Sequence, residues 1–391
     1  MMTPPLNEIL EARLGDLERA GLRRAPVVLD GPTGPRVRIG QREFLLFASN
    51  DYLGLAAHPA LAAAGIKAIE AYGAGSGASR LVSGSLRIHA EAEESAASFE
   101  RREAAILFPS GYQANIGVLA ALAGEGDVIF SDALNHASIV DGCRLSRAKK
   151  AVYNHGNLNH LEDLLKREAG KNRWIVTEAV FSMDGDVAPL GGIVDLANRH
   201  GAFVIVDEAH ATGVLGPTGR GGLEDSGTAE AVGVQVATLG KALGCAGAYV
   251  TGSRRLIEFL RNRARSFVFT TSVPPVLAGM AIEAFSLVDR EPERRDRLGE
   301  NRRRMAEGLK RLGVAIPERR SAIFPLVVGG NERAVELAGR MYEEGVLVPA
   351  IRPPTVPEGT ARLRLTVTAA HRAEDIDRVL NVLGRSLSGA A

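Results

Sequence analysis

Short apolar runs alternate with segments of helical length between about residues 60 and 270 of the chain. The runs lack the polar alternation of a half-exposed strand, and they are typical of strands buried on both faces. Strands of this kind, joined by helices, form a parallel or mixed sheet that the helices cover. The runs are residues 105–108, 128–130, 174–176, 203–206, 234–239 and 248–250. The pattern therefore predicts an α/β fold with a mostly parallel central sheet covered by helices.

Other patterns occupy the two ends of the chain. Apolar residues recur at three-to-four spacing over residues 6–20, which predicts an amphipathic helix, and a short strand pair is expected over 37–47. After about residue 275, an Arg- and Glu-rich helical region extends to about residue 312. Strands near 322–328 and 362–367 and a helix over 373–384 follow it, and they indicate a smaller α+β unit.

We expect these changes of pattern to divide the chain into three parts. Residues 1–48 are expected to form an N-terminal helix and strand segment, and residues 49–280 a large domain that carries the central sheet. Residues 281–391 are expected to form a small C-terminal domain. A length of 391 residues fits this division, because a domain typically has roughly 150 residues.

Composition and charge narrow the possible functions. Lys and Arg number 47 against 46 Asp and Glu, so the net charge of +1 argues against nucleic acid or a membrane surface as a partner. A hydrophobic fraction of 46% is enough for a large core. The two cysteines provide neither a disulfide framework nor a Cys-x-x-Cys zinc ligand set, and we expect no metal site.

Neither a secretory signal nor a membrane span is expected. Acidic residues occur within the first dozen positions and no apolar signal region follows them, which favours a cytoplasmic protein. The uncharged stretch 104–124 has the length of a membrane span. It contains Pro109, Gly111 and Asn115, so we interpret it as a strand, a loop and a helix.

Two motifs indicate nucleotide binding only when they are taken alone. The box Asp-Glu-Ala-His at residues 207–210 occurs in helicases, which also need a phosphate loop of the form Gly-x4-Gly-Lys-[Ser/Thr]. The one candidate for that loop, Gly240-Lys241, lacks both the first glycine and the final Ser or Thr. The Gly-rich segment 73–78 fits a dinucleotide fingerprint, but a helical pattern and not a strand precedes it. We therefore expect neither chemistry.

Lys241 is more informative because it follows a predicted strand and is surrounded by small residues. Desolvation lowers the pKa of a lysine and makes its amine nucleophilic. Asp207 ends another predicted strand, and open α/β sheets bind ligands at the carboxyl ends of their strands. A lysine, a carboxylate and a histidine at that edge meet the needs of a pyridoxal phosphate site, in which Lys forms a Schiff base and Asp pairs with the ring nitrogen.

A phosphate-binding helix start is predicted near this edge. Ser110-Gly111-Tyr112 follows a predicted strand and opens the helical run 113–123. The free N–H groups and the positive dipole end of a helix bind a dianion well. His136 follows the strand 128–130 by six residues, and a lone histidine in that position is usually structural unless other residues point to it.

Together these residues resemble the α-oxoamine synthases, a family of fold-type I pyridoxal-phosphate enzymes. The matching segments span nearly the whole chain: Ser49-Asn-Asp-Tyr-Leu-Gly-Leu55, Gly75-Ser-Gly77 with Val82-Ser-Gly84, Asn135-His-Ala-Ser138, Thr177-Glu178 with Phe181-Ser-Met-Asp-Gly-Asp186, Val206-Asp-Glu-Ala-His210, Thr238-Leu-Gly-Lys241 and Thr270-Thr-Ser-Val-Pro-Pro275. The C-terminal part is similar to the branch that acylates L-alanine with a pimeloyl thioester, in the stretches Ile351-Arg-Pro-Pro-Thr-Val-Pro357, Gly359-Thr-Ala-Arg-Leu-Arg-Leu-Thr366 and Ala369-Ala-His371. Ala78 departs from that branch, which commonly has a glycine there.

The resemblance implies a role for each matching site residue. Lys241 would carry the cofactor as a Schiff base and act as the base at the amino acid Cα, while Asp207, His210 and His136 complete the catalytic set. The implied cofactor contacts are Gly111, Tyr112, His136, Ser182, Asp207, His210, Thr238 and Lys241, with Thr270 or Thr271 of the partner subunit. The implied substrate contacts are Arg23, Asn50, His136, Arg352 and Thr355, of which Arg352 would bind the amino acid carboxylate.

The implied reaction is a decarboxylative condensation in a homodimer whose active sites lie between subunits. Either coenzyme A or an acyl carrier protein could bring the pimeloyl group, and the sequence does not choose between them. Two alternatives remain. One is a family member that uses glycine or another acyl thioester, as the synthases of aminolevulinate or aminoketobutyrate do. The other is a non-catalytic ligand-binding protein on the same fold.

Overall fold

The computed structural model describes residues 5–314 and 320–388. Its N-terminal segment contains the predicted helix α1 (Leu6–Arg19) and the predicted strand pair, β1 (Arg36–Ile39) and β2 (Arg42–Leu46). The two strands are antiparallel, with Val37 opposite Phe44. No residue of α1 is buried, so its apolar face does not contribute to the core described here.

The central element is a seven-stranded sheet, which confirms the predicted α/β architecture. Its strands are β3 (Ala104–Phe108), β4 (Val128–Asp132), β5 (Lys149–Tyr153), β6 (Arg173–Glu178), β7 (Phe203–Asp207), β8 (Val234–Thr238) and β9 (Ala248–Gly252). Their order across the sheet is β3-β9-β8-β7-β6-β4-β5. Because β9 runs antiparallel to both neighbours and the other pairs are parallel, six strands point the same way.

Helices cover both faces of this sheet. They are α2 (Pro59–Tyr72), α3 (Arg87–Phe99), α4 (Gly111–Leu122), α5 (Ala137–Leu145), α6 (Leu158–Arg167), α7 (Leu190–His200), α8 (Gly222–Ser226), α9 (Arg254–Arg263), α10 (Arg265–Val268) and α11 (Pro275–Arg290), with a 3₁₀ turn at Ala229–Ala231. Along β7, Val204 and Val206 belong to one hydrophobic cluster and Ile205 to another. Side chains alternate between the faces of a strand, so each face has its own core.

The edge strand β5 was not predicted, for a physical reason. Lys149, Lys150 and Val152 are exposed, whereas Ala151 and Tyr153 are buried. A strand at the sheet edge that faces water on one side alternates in polarity, and it therefore lacks the continuous apolar run that marks the central strands.

The C-terminal part contains α12 (Glu293–Arg311), β10 (Ile323–Gly329), α13 (Asn331–Glu343), β11 (Val346–Leu347), β12 (Ala350–Ile351), β13 (Ala361–Thr366) and α14 (Ala373–Ser388). Strands β10, β13 and β12 form one antiparallel sheet, and β11 joins β1 and β2 in another. The predicted Arg- and Glu-rich helical region consists of two helices, α11 and α12. They meet at Pro292, whose ring disfavours helix continuation.

The three-part division of the chain stays a prediction. The pairing of β2 with β11 joins the N-terminal segment to the C-terminal part, and the boundary at residue 280 falls within α11. The uncharged stretch 104–124 forms β3, a loop and α4, as predicted. Within residues 5–314 and 320–388, no helix combines the length and the apolar character that crossing a membrane requires.

Candidate active site

Acidic and hydroxyl residues gather where the parallel strands end. Glu178 ends β6, Asp207 ends β7 and Thr238 ends β8, and Lys241 follows three residues after Thr238. Because these strands run in the same direction, their carboxyl ends meet at one edge of the sheet. The first turn of α4 follows β3 at the same edge. The sequence predicted this meeting point.

Lys241 lies in a desolvated position beside a histidine. Its Nζ is 2.7 Å from Nε2 of His210. Burial lowers the pKa of Lys241 to about 8, against the opposing effects of the carboxylates of Asp207 and Glu178; the guanidinium of Arg364 adds to the lowering. The small residues around Lys241 in the sequence are the basis on which a lowered pKa was predicted.

His210 connects Lys241 to a buried tyrosine. Its Nδ1 is 2.7 Å from the Tyr52 hydroxyl, which in turn donates to Oδ1 of Asn50 at 3.2 Å. Burial lowers the pKa of His210 well below its ordinary value, and the positive charge of Lys241 adds to this effect. His210 is therefore neutral at pH 7, with one ring nitrogen donating and the other accepting.

Asp207 is buried and is held at both of its carboxylate oxygens. Oδ1 accepts a hydrogen bond from the backbone N–H of Ala209 at 2.8 Å, and Oδ2 accepts from Nδ2 of Asn115 at 2.6 Å. The carboxylate is 6% exposed. These contacts give the carboxylate a fixed orientation at the strand end.

His136 caps the N-terminus of α5. Its backbone N–H donates to Oε1 of Glu178 at 2.7 Å, and its Nδ1 lies 2.7 Å from the Ser138 hydroxyl. Burial lowers the pKa of His136, which favours the neutral ring, while Asp207 acts in the opposite direction. Burial also raises the pKa of Glu178, and the negative charge of Asp207 raises it further.

The first turn of α4 offers unpaired backbone donors. Ser110 caps the helix through a bond from the Gln113 N–H to its hydroxyl at 3.2 Å. The N–H groups of Gly111 and Tyr112 have no acceptor within a helix that begins at Gly111. Thr238 is adjacent, because a Cβ at Gly111 would lie 3.9 Å from the Cβ of Thr238. The Tyr112 hydroxyl, for its part, donates to Asp141.

A cavity of about 620 Å³ adjoins this edge. His136, Ser182 and Thr355 all line it, so the structure brings these three predicted site residues together. The backbone oxygen of Ser182 accepts a bond from Nε of Arg364 at 2.6 Å.

The remaining predicted substrate residues have other contacts in this structure. Arg352 donates to the backbone oxygen of Gly21 and, at 3.4 Å, to that of Arg23. The side chain of Arg23 is exposed and pairs with Glu18 at 2.6 Å. Their proposed roles therefore stay predictions.

Thr270 and Thr271 precede α11, and Thr271 is exposed and bridges to Ser79. A contact of either residue with a partner subunit also stays a prediction.

Four further residues reach this site that the sequence reasoning left without a role: Tyr52, Asn115, Glu178 and Arg364. Arg364 is 4% exposed and donates to Oδ1 of Asn50 at 3.2 Å. Tyr52 and Glu178 lie inside segments that carry the family resemblance, which was a usable signal. Arg364 lies inside the stretch 359–366, which carries the resemblance to one branch, so the same signal applied to it. Asn115 belongs to a helix that the fold alone brings to the site.

His155 forms a separate charged cluster behind the Ser182 turn. Its Nδ1 is 2.9 Å from Asp132, and its Nε2 is 2.8 Å from Asp186. The hydrogen bonds to these two carboxylates raise the pKa of His155 to about 10, so it is a cation at neutral pH. Within the described part of the chain, no group of three or more His, Cys, Asp or Glu side chains could hold a metal ion.

The residues at the sheet edge fit pyridoxal phosphate. The cofactor needs an amine that can be deprotonated near neutral pH, a carboxylate for its ring nitrogen and donors for its phosphate. Lys241 provides the first, Asp207 the second, and the first-turn N–H groups of α4 the third, where the phosphate would meet the positive end of the helix.

Comparisons with known proteins agree with this site. A model of the aminotransferase class I and II family matches residues 42–383. The match covers most of the chain, and the chain therefore belongs to that family. The chain is also similar over nearly its full length to relatives named 8-amino-7-oxononanoate synthase. The one from Anaeromyxobacter dehalogenans (strain 2CP-1) is 50% identical over 376 residues, 96% of this chain and 94% of the relative. The one from Symbiobacterium thermophilum is 48% identical over 377 residues, 96% of each chain.

Solved structures extend the comparison. Serine palmitoyltransferase from S. paucimobilis, solved with a bound PLP–myriocin aldimine, superposes with a TM-score of 0.93 at 32% identity and 99% coverage of both chains. An 8-amino-7-oxononanoate synthase from Francisella tularensis superposes with a TM-score of 0.77 at 28% identity, over 89% of this chain and 98% of that chain. The predicted resemblance to the α-oxoamine synthases and the fold-type I architecture are confirmed.

Proposed function

We propose that the chain condenses L-alanine with a pimeloyl thioester, with loss of CO₂ and of the free thiol, to give 8-amino-7-oxononanoate for biotin biosynthesis. The observation that carries this proposal is Lys241, a half-buried amine with a pKa of about 8 at the strand edge that holds Asp207. Identity of 48–50% to 8-amino-7-oxononanoate synthases over nearly the full chain supports this choice of reaction.

The residues at the sheet edge would hold the cofactor. Lys241 would bind it as a Schiff base, and Asp207 would keep a proton on its ring nitrogen. His210 would bond the ring 3-oxygen, and His136 would stack on the ring. Ser182, Thr238 and the N–H groups of Gly111 and Tyr112 would complete the contacts. When bound, pyridoxal phosphate supplies an electron sink for the negative charge that develops at the amino acid Cα.

Lys241 then handles the proton at Cα. With a pKa of about 8, roughly a tenth of the amine is neutral at pH 7, compared with less than about a thousandth for a lysine of ordinary pKa. The neutral amine can remove the α-proton of L-alanine and later return a proton to the same carbon. Its contact with neutral His210 supports this role, because the imidazole accepts a hydrogen bond without adding positive charge.

The substrates would enter from the cavity side of the site. Arg352 would bind the alanine carboxylate with two parallel hydrogen bonds, and Asn50, Thr355 and Arg23 would complete the substrate contacts. The cavity of about 620 Å³ supports a place for the acyl chain, because His136, whose pKa burial and the charge of Lys241 lower, forms part of its lining.

We further propose that the enzyme works as a homodimer in the cytoplasm. Thr270 or Thr271 of the partner subunit would contact the cofactor phosphate. The pimeloyl group would arrive on coenzyme A or on an acyl carrier protein, and the assay below compares both carriers.

Condensation of serine with a long-chain acyl thioester is a second candidate. The higher TM-score of serine palmitoyltransferase, 0.93 against 0.77 for the Francisella synthase, favours it. Sequence identity favours the alanine reaction, because it is 50% with the Anaeromyxobacter synthase and 32% with serine palmitoyltransferase.

An assay of purified holoenzyme with a matrix of substrates tests the proposal. L-Alanine, L-serine and glycine are each combined with pimeloyl-CoA, pimeloyl carrier protein, palmitoyl-CoA, succinyl-CoA or acetyl-CoA, and the amino ketone and the free thiol are measured. We expect the highest kcat/KM for L-alanine with a pimeloyl thioester and one thiol per 8-amino-7-oxononanoate. A higher kcat/KM for serine with palmitoyl-CoA, or for glycine with any donor, would overturn the proposal. A protein that remains colourless with pyridoxal phosphate would favour the non-catalytic alternative.

A further inference from the structure

The buried side-chain amide of Asn115 connects Asp207, at the end of β7, with Ser138, in the first turn of α5. Asn115, on α4, is 3% exposed. Its Nδ2 donates to Oδ2 of Asp207 at 2.6 Å and to Oγ of Ser138 at 2.9 Å. An amide nitrogen has two hydrogens, so both are used.

Ser138 passes this contact on to His136. Its Oγ accepts from Asn115, which leaves its own hydrogen to donate across the 2.7 Å contact to Nδ1 of His136. The backbone N–H of Ser138 donates to the same Nδ1 at 3.2 Å. A backbone N–H can only donate, so Nδ1 is an acceptor and the neutral ring carries its hydrogen on Nε2.

We propose that Asn115 is a positioning residue that holds Asp207 and, through Ser138, the Nε2–H form of His136. This inference rests on the proposed function for the reaction it serves, while its geometry is independent of that function. The other described bond to Asp207, from the Ala209 N–H, reaches the opposite oxygen and does not replace the bond from Asn115. At His136, the backbone N–H of Ser138 keeps one bond to Nδ1, so loss of the hydroxyl removes the shorter of two donors.

The charges around His136 set the direction of the expected change. Asp207 favours its protonation, and Lys241 opposes it. Glu178 accepts its backbone N–H, and the ring of Tyr112 lies edge-on with centroids 6.4 Å apart. Hydrogen bonds donated to Nδ1 stabilise the neutral ring, so their loss raises the pKa of His136.

The experiment compares Asn115→Ala with Ser138→Ala in the full-length holoenzyme. Asn115→Ala removes the bonds to both Asp207 and the Ser138 hydroxyl, whereas Ser138→Ala leaves the bond to Asp207 and removes the hydroxyl contact with Nδ1 of His136. We expect both variants to move the acidic limb of the kcat/KM profile to higher pH. Only Asn115→Ala should also weaken pyridoxal phosphate binding, by about 10- to 100-fold, as expected when a hydrogen bond to a charged group is lost.

A readout that does not depend on turnover is the ¹⁵N spectrum of histidine-labelled protein, with His136 assigned by a His136→Gln variant. Wild type should show the Nε2–H tautomer, and both variants should protonate His136 at higher pH. If Asn115→Ala does not fold, Ser138→Ala and the conservative Ser138→Thr, which keeps the hydroxyl, still decide the His136 half. Ser138→Thr should behave as wild type.

Asn301→Ala is the matched control. Asn301 is also a buried helical asparagine, 8% exposed, and its Nδ2 donates to two backbone oxygens, at 2.9 and 2.8 Å. It should lose comparable stability and change neither the His136 titration nor cofactor affinity. An unchanged His136 titration in Ser138→Ala, or equal effects of Asn115→Ala and Asn301→Ala, would overturn the inference. Failure of the wild type to condense L-alanine would overturn only the proposed function, because the tautomer is measured without turnover.

Discussion

Replacing Asp207 by asparagine removes one buried negative charge with almost no change of shape. The variant keeps an oxygen for the Ala209 N–H, which donates at 2.8 Å to Oδ1 in the wild type. Asp207 is 6% exposed, so solvent screens its carboxylate poorly. The Asp207 carboxylate would form an ion pair with the protonated ring nitrogen of the cofactor. At hydrogen-bond distance and an effective dielectric constant of about 20, such a pair is worth roughly 5 kcal/mol. Asparagine can still make a neutral hydrogen bond, so we expect a loss of about 10²–10⁴-fold in kcat rather than the full ion-pair energy.

The assay follows the exchange of the L-alanine α-proton with deuterium by NMR in the absence of any acyl donor, because this isolates the step that needs the protonated ring. Cofactor should remain bound to the Asp207→Asn variant and be visible by its colour. Asp127→Asn is the control: Asp127 is also 6% exposed, accepts bonds from Gly124 and Asn172, and precedes β4 at the opposite edge of the sheet. Exchange at the wild-type rate in Asp207→Asn, or an equal loss in Asp127→Asn, would refute the reasoning.

Three other changes test separate features. Arg352→Ala should raise the KM for L-alanine about 10- to 100-fold. Arg24→Ala, which loses bonds to the backbone of the same loop, should change this KM little. If steady-state kinetics give Arg352→Ala the KM of the wild type, Arg352 does not bind L-alanine. His155→Asn should lower the free energy of unfolding by on the order of 3 kcal/mol near pH 6. The folded-state pKa of His155 is raised to about 10, so its contribution to the free energy of unfolding is complete below about pH 6.5 and is lost as pH approaches 10. Urea denaturation measures the difference in this free energy between wild type and variant, and a difference that widens with pH would contradict the expectation. Gly244→Ala should lower the free energy of unfolding by about 2 kcal/mol more than Gly40→Ala does. Both glycines have φ near +60°, but only at Gly244 would a Cβ lie 2.5 Å from a backbone atom, the carbonyl carbon of Leu55. Equal losses of stability would show that the structure relieves this close approach.

The apolar runs predicted the central strands because those strands are buried on both faces, which leaves no polar alternation. Strand β5 has no such run and was not predicted, because its exposed Lys149 and Lys150 lie at the sheet edge. The division between α11 and α12 carried a local signal, Pro292, in the sequence. Local composition therefore predicts a strand that is buried on both faces, but it does not predict a strand at the edge of the sheet, where one face meets water.

The residues of the candidate site also divide into those that the sequence predicted and those that it did not. Lys241 was predictable because a predicted strand precedes it and small residues surround it in the sequence. The contact of Asn115 with Asp207 joins residues 92 positions apart, and that of Arg364 with Tyr52 joins residues 312 apart. Only the folded chain brings such pairs together, so no spacing in the sequence marks them.

The most direct test of the whole account asks which residue carries pyridoxal phosphate. Holoenzyme is reduced with borohydride, which converts a Schiff base into a stable amine, and is then digested and mapped by mass spectrometry. We predict one pyridoxyl group per chain, on the peptide that contains Lys241, and none on exposed lysines such as Lys166 and Lys171. A stoichiometric adduct on any other lysine, or an unmodified Lys241 in coloured holoenzyme, would contradict the account.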